Sequence, residues 1–188
     1  MTPRRRLVAV TAAVTGLALL AAACSNTTGL PAAFYKNAVD TVSLYALRGT
    51  AITLPSAYSI QDRLTVRTDT TVSLDFAFDF DSAGRPRLLP TAALHLGTIS
   101  GLQATSLAFA AITLAPTGGY IRDTAVTADS GKVFYVVGRP VLCLIGSVPL
   151  YAKLHVLSVD TVARRLNFEI LVDLNCGYRG LALGLPKQ

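Results

Sequence analysis

Residues 72–80 read Val-Ser-Leu-Asp-Phe-Ala-Phe-Asp-Phe and constrain the fold more than any other stretch of the chain. Val72, Leu74, Phe76, Phe78 and Phe80 recur at every second position, with Ser73, Asp75, Ala77 and Asp79 between them. A period of two places these groups on opposite sides of an extended chain. The spacing therefore predicts a β-strand with a buried aromatic face and a wet face carrying the two aspartates. A helix would scatter the five apolar side chains around its axis, because positions two apart do not face each other.

The alternation returns at 164–173, where Leu166, Phe168, Ile170 and Val172 interleave with Asn167, Glu169, Leu171 and Asp173. Together with 151–159 and the loop Asp160-Thr161-Val162-Ala163, it predicts an antiparallel hairpin. A second pair is expected between 120–127 and 133–137 across the polar turn 128–132. Weaker strands are expected over 41–48, 50–54 and 63–68. Another should begin near Arg87 and break at Pro90, after a turn over 81–86 in which Gly84 suits a positive φ. Residues 103–114 fit a strand pair or a short helix.

Composition agrees with this pattern. One glutamate (Glu169) and four lysines are too few to dress charged helix faces, while a 52% hydrophobic chain of 188 residues can fill a real core. The expected fold is all-β: an antiparallel β-sandwich or barrel-like domain over 40–188. Phe76, Phe78, Phe168 and Ile170 should point into its core.

Ahead of that domain the character of the chain changes. Arg4, Arg5 and Arg6 precede the uncharged, Ala-, Val- and Leu-rich segment 7–20, then the small residues Ala21, Ala22 and Ala23, then Cys24. Positive, apolar and small-residue parts in that order make an N-terminal export signal. The run Leu20-Ala21-Ala22-Ala23-Cys24 resembles the lipobox of bacterial lipoproteins, a resemblance confined to residues 1–25. It implies a signal peptide at 1–23, a diacylglyceryl group on the Cys24 thiolate, and further acylation of the amine freed by cleavage. Residues 24–39 would then be a lipid-anchored N-terminus and tether, with membrane lipid as partner through acylated Cys24. The implied location is the cell envelope. Ser25 after the cysteine implies sorting to the outer membrane if the cell is diderm, facing the periplasm or the cell surface. Two other readings leave Cys24 unlipidated: an ordinary signal-peptidase cut after Ala23, and retention of the segment as a short transmembrane anchor.

Lipidation of Cys24 leaves Cys143 and Cys176 as an even pair in an oxidising compartment, and a disulfide between them is expected. The alternative is two buried free thiols, since Cys143 lies in the apolar run 141–145.

Charge and motifs narrow the function classes. Of the formal net charge of +6, three units belong to Arg4, Arg5 and Arg6; the remaining 14 Lys and Arg against 11 Asp and Glu leave +3, with no run of like charge. That balance gives no electrostatic case for nucleic acid. The stretch 79–84 begins like a calcium loop but has Ala83 at the fifth position and Pro90 at the twelfth, where a bidentate glutamate is required. Asp75 and Asp79 would be about 13 Å apart on one strand face, too far for glycoside hydrolysis, whereas Asp79 and Asp81 at about 7 Å would fall within range. Ser130-Gly131-Lys132 lacks the earlier glycine of a phosphate-binding loop, and no Gly-x-Ser-x-Gly elbow occurs. His95 and His155 are the chain's imidazoles, and without a Cys-x-x-Cys they do not make a zinc site. Arg164-Arg165 reads as a solvated hairpin end. The string Asn175-Cys176-Gly177-Tyr178-Arg179-Gly180 reads either as a disulfide-pinned turn or as a recognition loop presenting Tyr178 and Arg179. No catalytic residue, metal or cofactor is expected. The sequence favours a non-enzymatic envelope module that binds another envelope protein or has a structural role. An apolar-ligand or lipid carrier and a hydrolase with an unrecognised site are the alternatives.

Overall fold

Leu166, Phe168, Ile170 and Val172 all turn the same way along one strand, and that strand is flanked on both sides within the larger of two layers. A computed structural model describes residues 29–187. Among them ten strands form two antiparallel five-stranded sheets. In chain order these are β1 (Val39–Tyr45), β2 (Ala57–Ser59), β3 (Leu64–Val66), β4 (Phe76–Phe80), β5 (Pro86–Pro90), β6 (Gly101–Thr105), β7 (Val126–Thr127), β8 (Val133–Cys143), β9 (Gly146–Asp160) and β10 (Arg165–Asp173). One sheet runs β1-β10-β9-β8-β6 and the other β3-β2-β4-β5-β7. Residues of both sheets share one core, so the architecture is a sandwich.

The predicted core residues Phe76, Phe78, Phe168 and Ile170 are fully buried. Tyr58 and Phe76 stack across β2 and β4, and Phe168 meets both rings edge-on at 5.9 and 6.0 Å. Rings of opposite layers thus interlock at the centre of the sandwich, in the offset and edge-to-face geometries that aromatic quadrupoles favour. The 151–173 hairpin forms with Asp160 Oδ1 accepting from the amides of Val162 and Ala163, which closes the turn. Gly84 takes φ +75° in the turn between β4 and β5, as its place predicts.

Several expectations are corrected. The face of β4 read as wet is dry. Asp75 and Asp79 are only 1% and 4% exposed, and Ala77 between them is buried under Leu47, Leu94 and Leu96. Alternation shows which residues share a side; it cannot show that loops will cover the second side. Val72, placed with the buried phenylalanines, is 70% exposed, because the strand begins only at Phe76. The expected hairpin between 120–127 and 133–137 does not form: β7 pairs with β5 in one sheet, and β8 with β6 and β9 in the other. The polar turn 128–132 therefore carries the chain from layer to layer. Residues 50–54 form turns, not a strand. The ambiguous stretch 103–114 divides into β6 and a single 3-10 turn, Phe109–Ala111. Arg164 is not a solvated hairpin end. Its guanidinium lies 4.7 Å from the centre of the Phe80 ring, and its Nε donates to the Arg48 carbonyl at 2.8 Å.

The buried aspartates have structural duties. Asp75 Oδ2 accepts from the Ile60 amide and Oδ1 from the Arg139 amide, both at 2.6 Å, with the Arg139 guanidinium 3.4 Å away. One carboxylate thereby joins β8 of the first sheet to the second sheet. Asp79 Oδ2 accepts from Arg48 Nε at 2.6 Å, and its Oδ1 accepts from the Phe80 amide.

Two features position the candidate site. Residues 34–37, assigned to the tether by composition, are tied into the body: Tyr35 to Asn175, and Asn37 to Gly180 and Gly184. Secondly, β8 and β9 outrun their neighbours. Pairing with β6 stops at Val137 and pairing with β10 stops at Tyr151, yet β8 and β9 continue as a two-stranded ribbon from Pro140↔Pro149 to Cys143↔Gly146.

Candidate functional site

Leu144 and Ile145 form the two-residue turn at the tip of this ribbon. Turns of this kind usually carry Gly, Asn or Asp, whose backbone preferences and polarity suit water. Here Leu144 is 98% exposed, Leu142 beside it 89%, and Phe34 across the gap 80%. Each forgoes the 1.5–3 kcal/mol, roughly, that full burial of such a side chain provides. The tip and the N-terminal segment face one another across an apolar groove of about 620 Å³ lined by Phe34, Tyr35, Leu142, Leu144, Ile145 and Tyr178.

The groove has a fixed floor. Cys143 at the end of the ribbon is joined to Cys176, with Cα atoms 6.3 Å apart, so the expected disulfide is present and lies in the groove wall. Gly177, at φ +81°, lets the chain reverse directly after Cys176. Asn175 is buried and uses its whole amide: Oδ1 accepts from the amides of Phe34 and Tyr35 at 2.7 and 2.9 Å, and Nδ2 donates to the Tyr35 carbonyl and to Asp173 Oδ1, each at 2.8 Å. Tyr178 is also buried, and its hydroxyl donates to the Pro31 carbonyl at 2.8 Å. The guanidinium of Arg179 donates to the Ala115 carbonyl at 2.9 Å. The string 175–180 is thus a disulfide-pinned turn that holds the N-terminal segment and the ribbon in one assembly. Its Tyr178 and Arg179 do not project as a recognition loop.

No protein-family model and no curated protein matches this chain.

A second, more polar cleft of about 470 Å³ lies on the outer face of the larger sheet, where Lys153, His155 and Glu169 come together with Val39, Phe109 and Leu183. His155 and Glu169 are cross-strand partners, their Nδ1 and Oε1 atoms 2.8 Å apart. Lys153 is almost wholly buried. Its ammonium donates to the carbonyls of Phe109 and Ile112 at 2.9 and 2.8 Å and sits 4.6 Å from the centre of the Phe109 ring. Burial lowers its pKa, and the negative Glu169 opposes that shift. These contacts fasten the 3-10 turn onto the sheet, and they occupy the lysine that a nucleophilic or base role would need free. Sequence reasoning considered His155 alone. Glu169 comes opposite His155, with Lys153 two residues along the same strand, only because a β-bulge between Asn167 and Phe168 shifts the register by one residue, which no sequence pattern announces.

His95 stands apart at the end of the 3-10 turn Thr91–Leu94, with φ +60°. Asp81 closes its own turn, accepting from the amides of Ala83 and Arg85 and from the Arg85 guanidinium, all of which hold its carboxyl below the usual range. With Asp79 committed to Arg48, the acids of 79–84 are both engaged by arginine. The Cys24 reading lies outside the described residues.

Proposed function

We propose that this protein is a membrane-anchored envelope lipoprotein whose sandwich is a non-enzymatic binding module, with the apolar groove at the β8–β9 ribbon as its binding site. The observation that carries the reading is the rigid, exposed apolar surface made by Phe34, Leu142 and Leu144 beside Pro31, seven residues after Cys24. Contiguous exposed apolar surface on a well-packed domain marks an interaction site. The polar residues that chemistry would recruit have other work. Asp75 joins the sheets, Asp79 pairs with Arg48, and Lys153 caps two carbonyls.

Mass spectrometry of protein extracted from membranes tests the anchor. The expected result is a mature N-terminus at Cys24 carrying acyl groups, and Cys24→Ser should stop processing or release the chain from the detergent phase. An unmodified Cys24 or an intact leader would overturn the reading.

The same groove supports a second reading, a carrier of apolar small molecules, since a volume of several hundred Å³ with apolar walls suits such ligands. Stoichiometric lipid recovered by organic extraction of detergent-free protein would favour the carrier over an anchored docking module.

A further inference from the structure

We propose that the ribbon tip and the Phe34–Tyr35 segment form a bilayer-docking surface: Leu142, Leu144, Ile145 and Phe34 enter the lipid layer in which the acyl chains of Cys24 are embedded. The inference deepens the lipoprotein reading and rests on it. Where the groove had no named occupant, it commits to the membrane itself.

Three observations on different parts of the chain point to lipid. The first is reach. Pro31, whose carbonyl is held by Tyr178, lies seven positions after Cys24. Seven residue steps span at most about 25 Å. An acyl anchor at Cys24 therefore confines this end of the domain to the membrane surface.

The second is charge. From residue 140 to residue 152 no side chain is ionisable as an acid or base except the phenol of Tyr151, and from Cys24 to Tyr35 no Lys, Arg, Asp or Glu occurs. The stretches that line the groove, 31–35 and 142–145, can thus leave water without desolvating a charge, the step that makes bilayer entry expensive for most surface loops. A protein partner would instead be expected to meet a polar rim with hydrogen-bonding side chains around the apolar centre. Tyr35, about half exposed beside Phe34, offers the amphipathic ring typical of the headgroup boundary.

The third is shape. The tip is the end of a two-stranded ribbon standing beyond its sheet, its two strands paired with each other up to Cys143↔Gly146. The disulfide and the Asn175 contacts hold Phe34 and the tip in place before docking, so little conformational freedom is lost on insertion.

The chain contains no tryptophan, so one introduced indole reports on its own position alone. Leu144→Trp places it at the tip. Val162→Trp places it in the β9–β10 turn, 95% exposed and at the other end of the 15-residue strand β9, about 45 Å away. Neither substitution touches the core. Both full-length variants are expressed with their leaders, purified from membranes, checked by mass spectrometry for acylated Cys24, and reconstituted into phosphatidylethanolamine–phosphatidylglycerol vesicles with or without brominated acyl chains. The expected result is blue-shifted emission from Leu144→Trp, quenched by bromolipid, while Val162→Trp emits as in water and is not quenched. Acylated, vesicle-bound protein in which both indoles stay wet and unquenched would overturn the docking inference and leave the lipoprotein reading standing. A blue-shifted tip that bromolipid does not quench would also overturn it, by showing a protein partner or a second copy on the surface. Absence of acylation at Cys24, with no binding to vesicles, would remove both.

Discussion

Asn175 grips Tyr35 by both of its backbone groups, accepting from the Tyr35 amide at 2.9 Å and donating to the Tyr35 carbonyl at 2.8 Å, across 140 residues of chain. One buried side chain thereby does what a neighbouring strand would do, and it fixes the N-terminal segment against the loop after β10. Asn175→Ala leaves the Phe34 and Tyr35 amides without this acceptor. It should cost about 2–3 kcal/mol in urea unfolding, since buried polar groups are expensive to leave unpaired. Hydrogen exchange should quicken at the amides of Phe34 and Tyr35 before the sheets respond.

The Cys143–Cys176 bond closes a loop with a sequence separation of 33. In the chain-entropy account, removing it as Cys143→Ala/Cys176→Ala destabilises the domain by about 3–4 kcal/mol. Proteolysis under native conditions should then cut first in the ribbon or in 174–184, the two segments that the bond joins. A double variant with unchanged stability and protease resistance would show that the Asn175 contacts suffice alone.

Asp75 is a test of the inter-sheet link. Asp75→Ala strands the Arg139 guanidinium, itself mostly buried, and frees two backbone amides. A loss of about 3–5 kcal/mol is expected, the usual cost of removing one partner from a buried ion pair. Asp75→Asn keeps an acceptor for only one of the two amides and turns an amide donor toward the other, so it too should be destabilised. Chemical denaturation of both variants gives the comparison.

Asp173 supplies a pH dependence of definite sign. Burial raises the pKa of its carboxyl, against the hydrogen bonds from Asn175 that pull it down. The folded state therefore holds this proton at a pH where the unfolded chain has released it. Stability from this group is present at low pH and is lost as pH rises from the ordinary aspartate range through the raised folded value. Asp173→Asn should flatten that part of the stability–pH curve, measured by thermal unfolding across the acid range.

Lys153→Met retains the apolar stem but leaves the Phe109 and Ile112 carbonyls without their donor. The expected cost is about 1–3 kcal/mol, with faster hydrogen exchange around 109–115 and no change in the ribbon. In the parent protein Lys153 should resist amine acylation until the domain unfolds, which residue-level mass spectrometry would read.

Much of the architecture was legible from pattern alone. The all-β class, the β9–β10 hairpin and the burial of Phe76, Phe78, Phe168 and Ile170 all follow from period-two spacing, because side-chain direction in a strand is a local property of the backbone. The disulfide also followed from a local expectation, the even pair of cysteines left once Cys24 is set aside. The groove was not legible. Its parts lie at 34–35, 142–145 and 174–178, and no spacing rule joins them.

The division between the two has one physical cause. The sequence by itself determined which residues share a side of a strand and where the turns at 81–86 and 160–163 fall. Only the tertiary structure decided what lies over each side. It put Leu47, Leu94 and Leu96 over the face of Asp75 and Asp79, sent β7 and β8 to different sheets, and brought Phe34 to the ribbon tip. Burial depends on contacts between residues far apart in the chain. The energy that selects them is spread over the whole core, and no single window of sequence contains it.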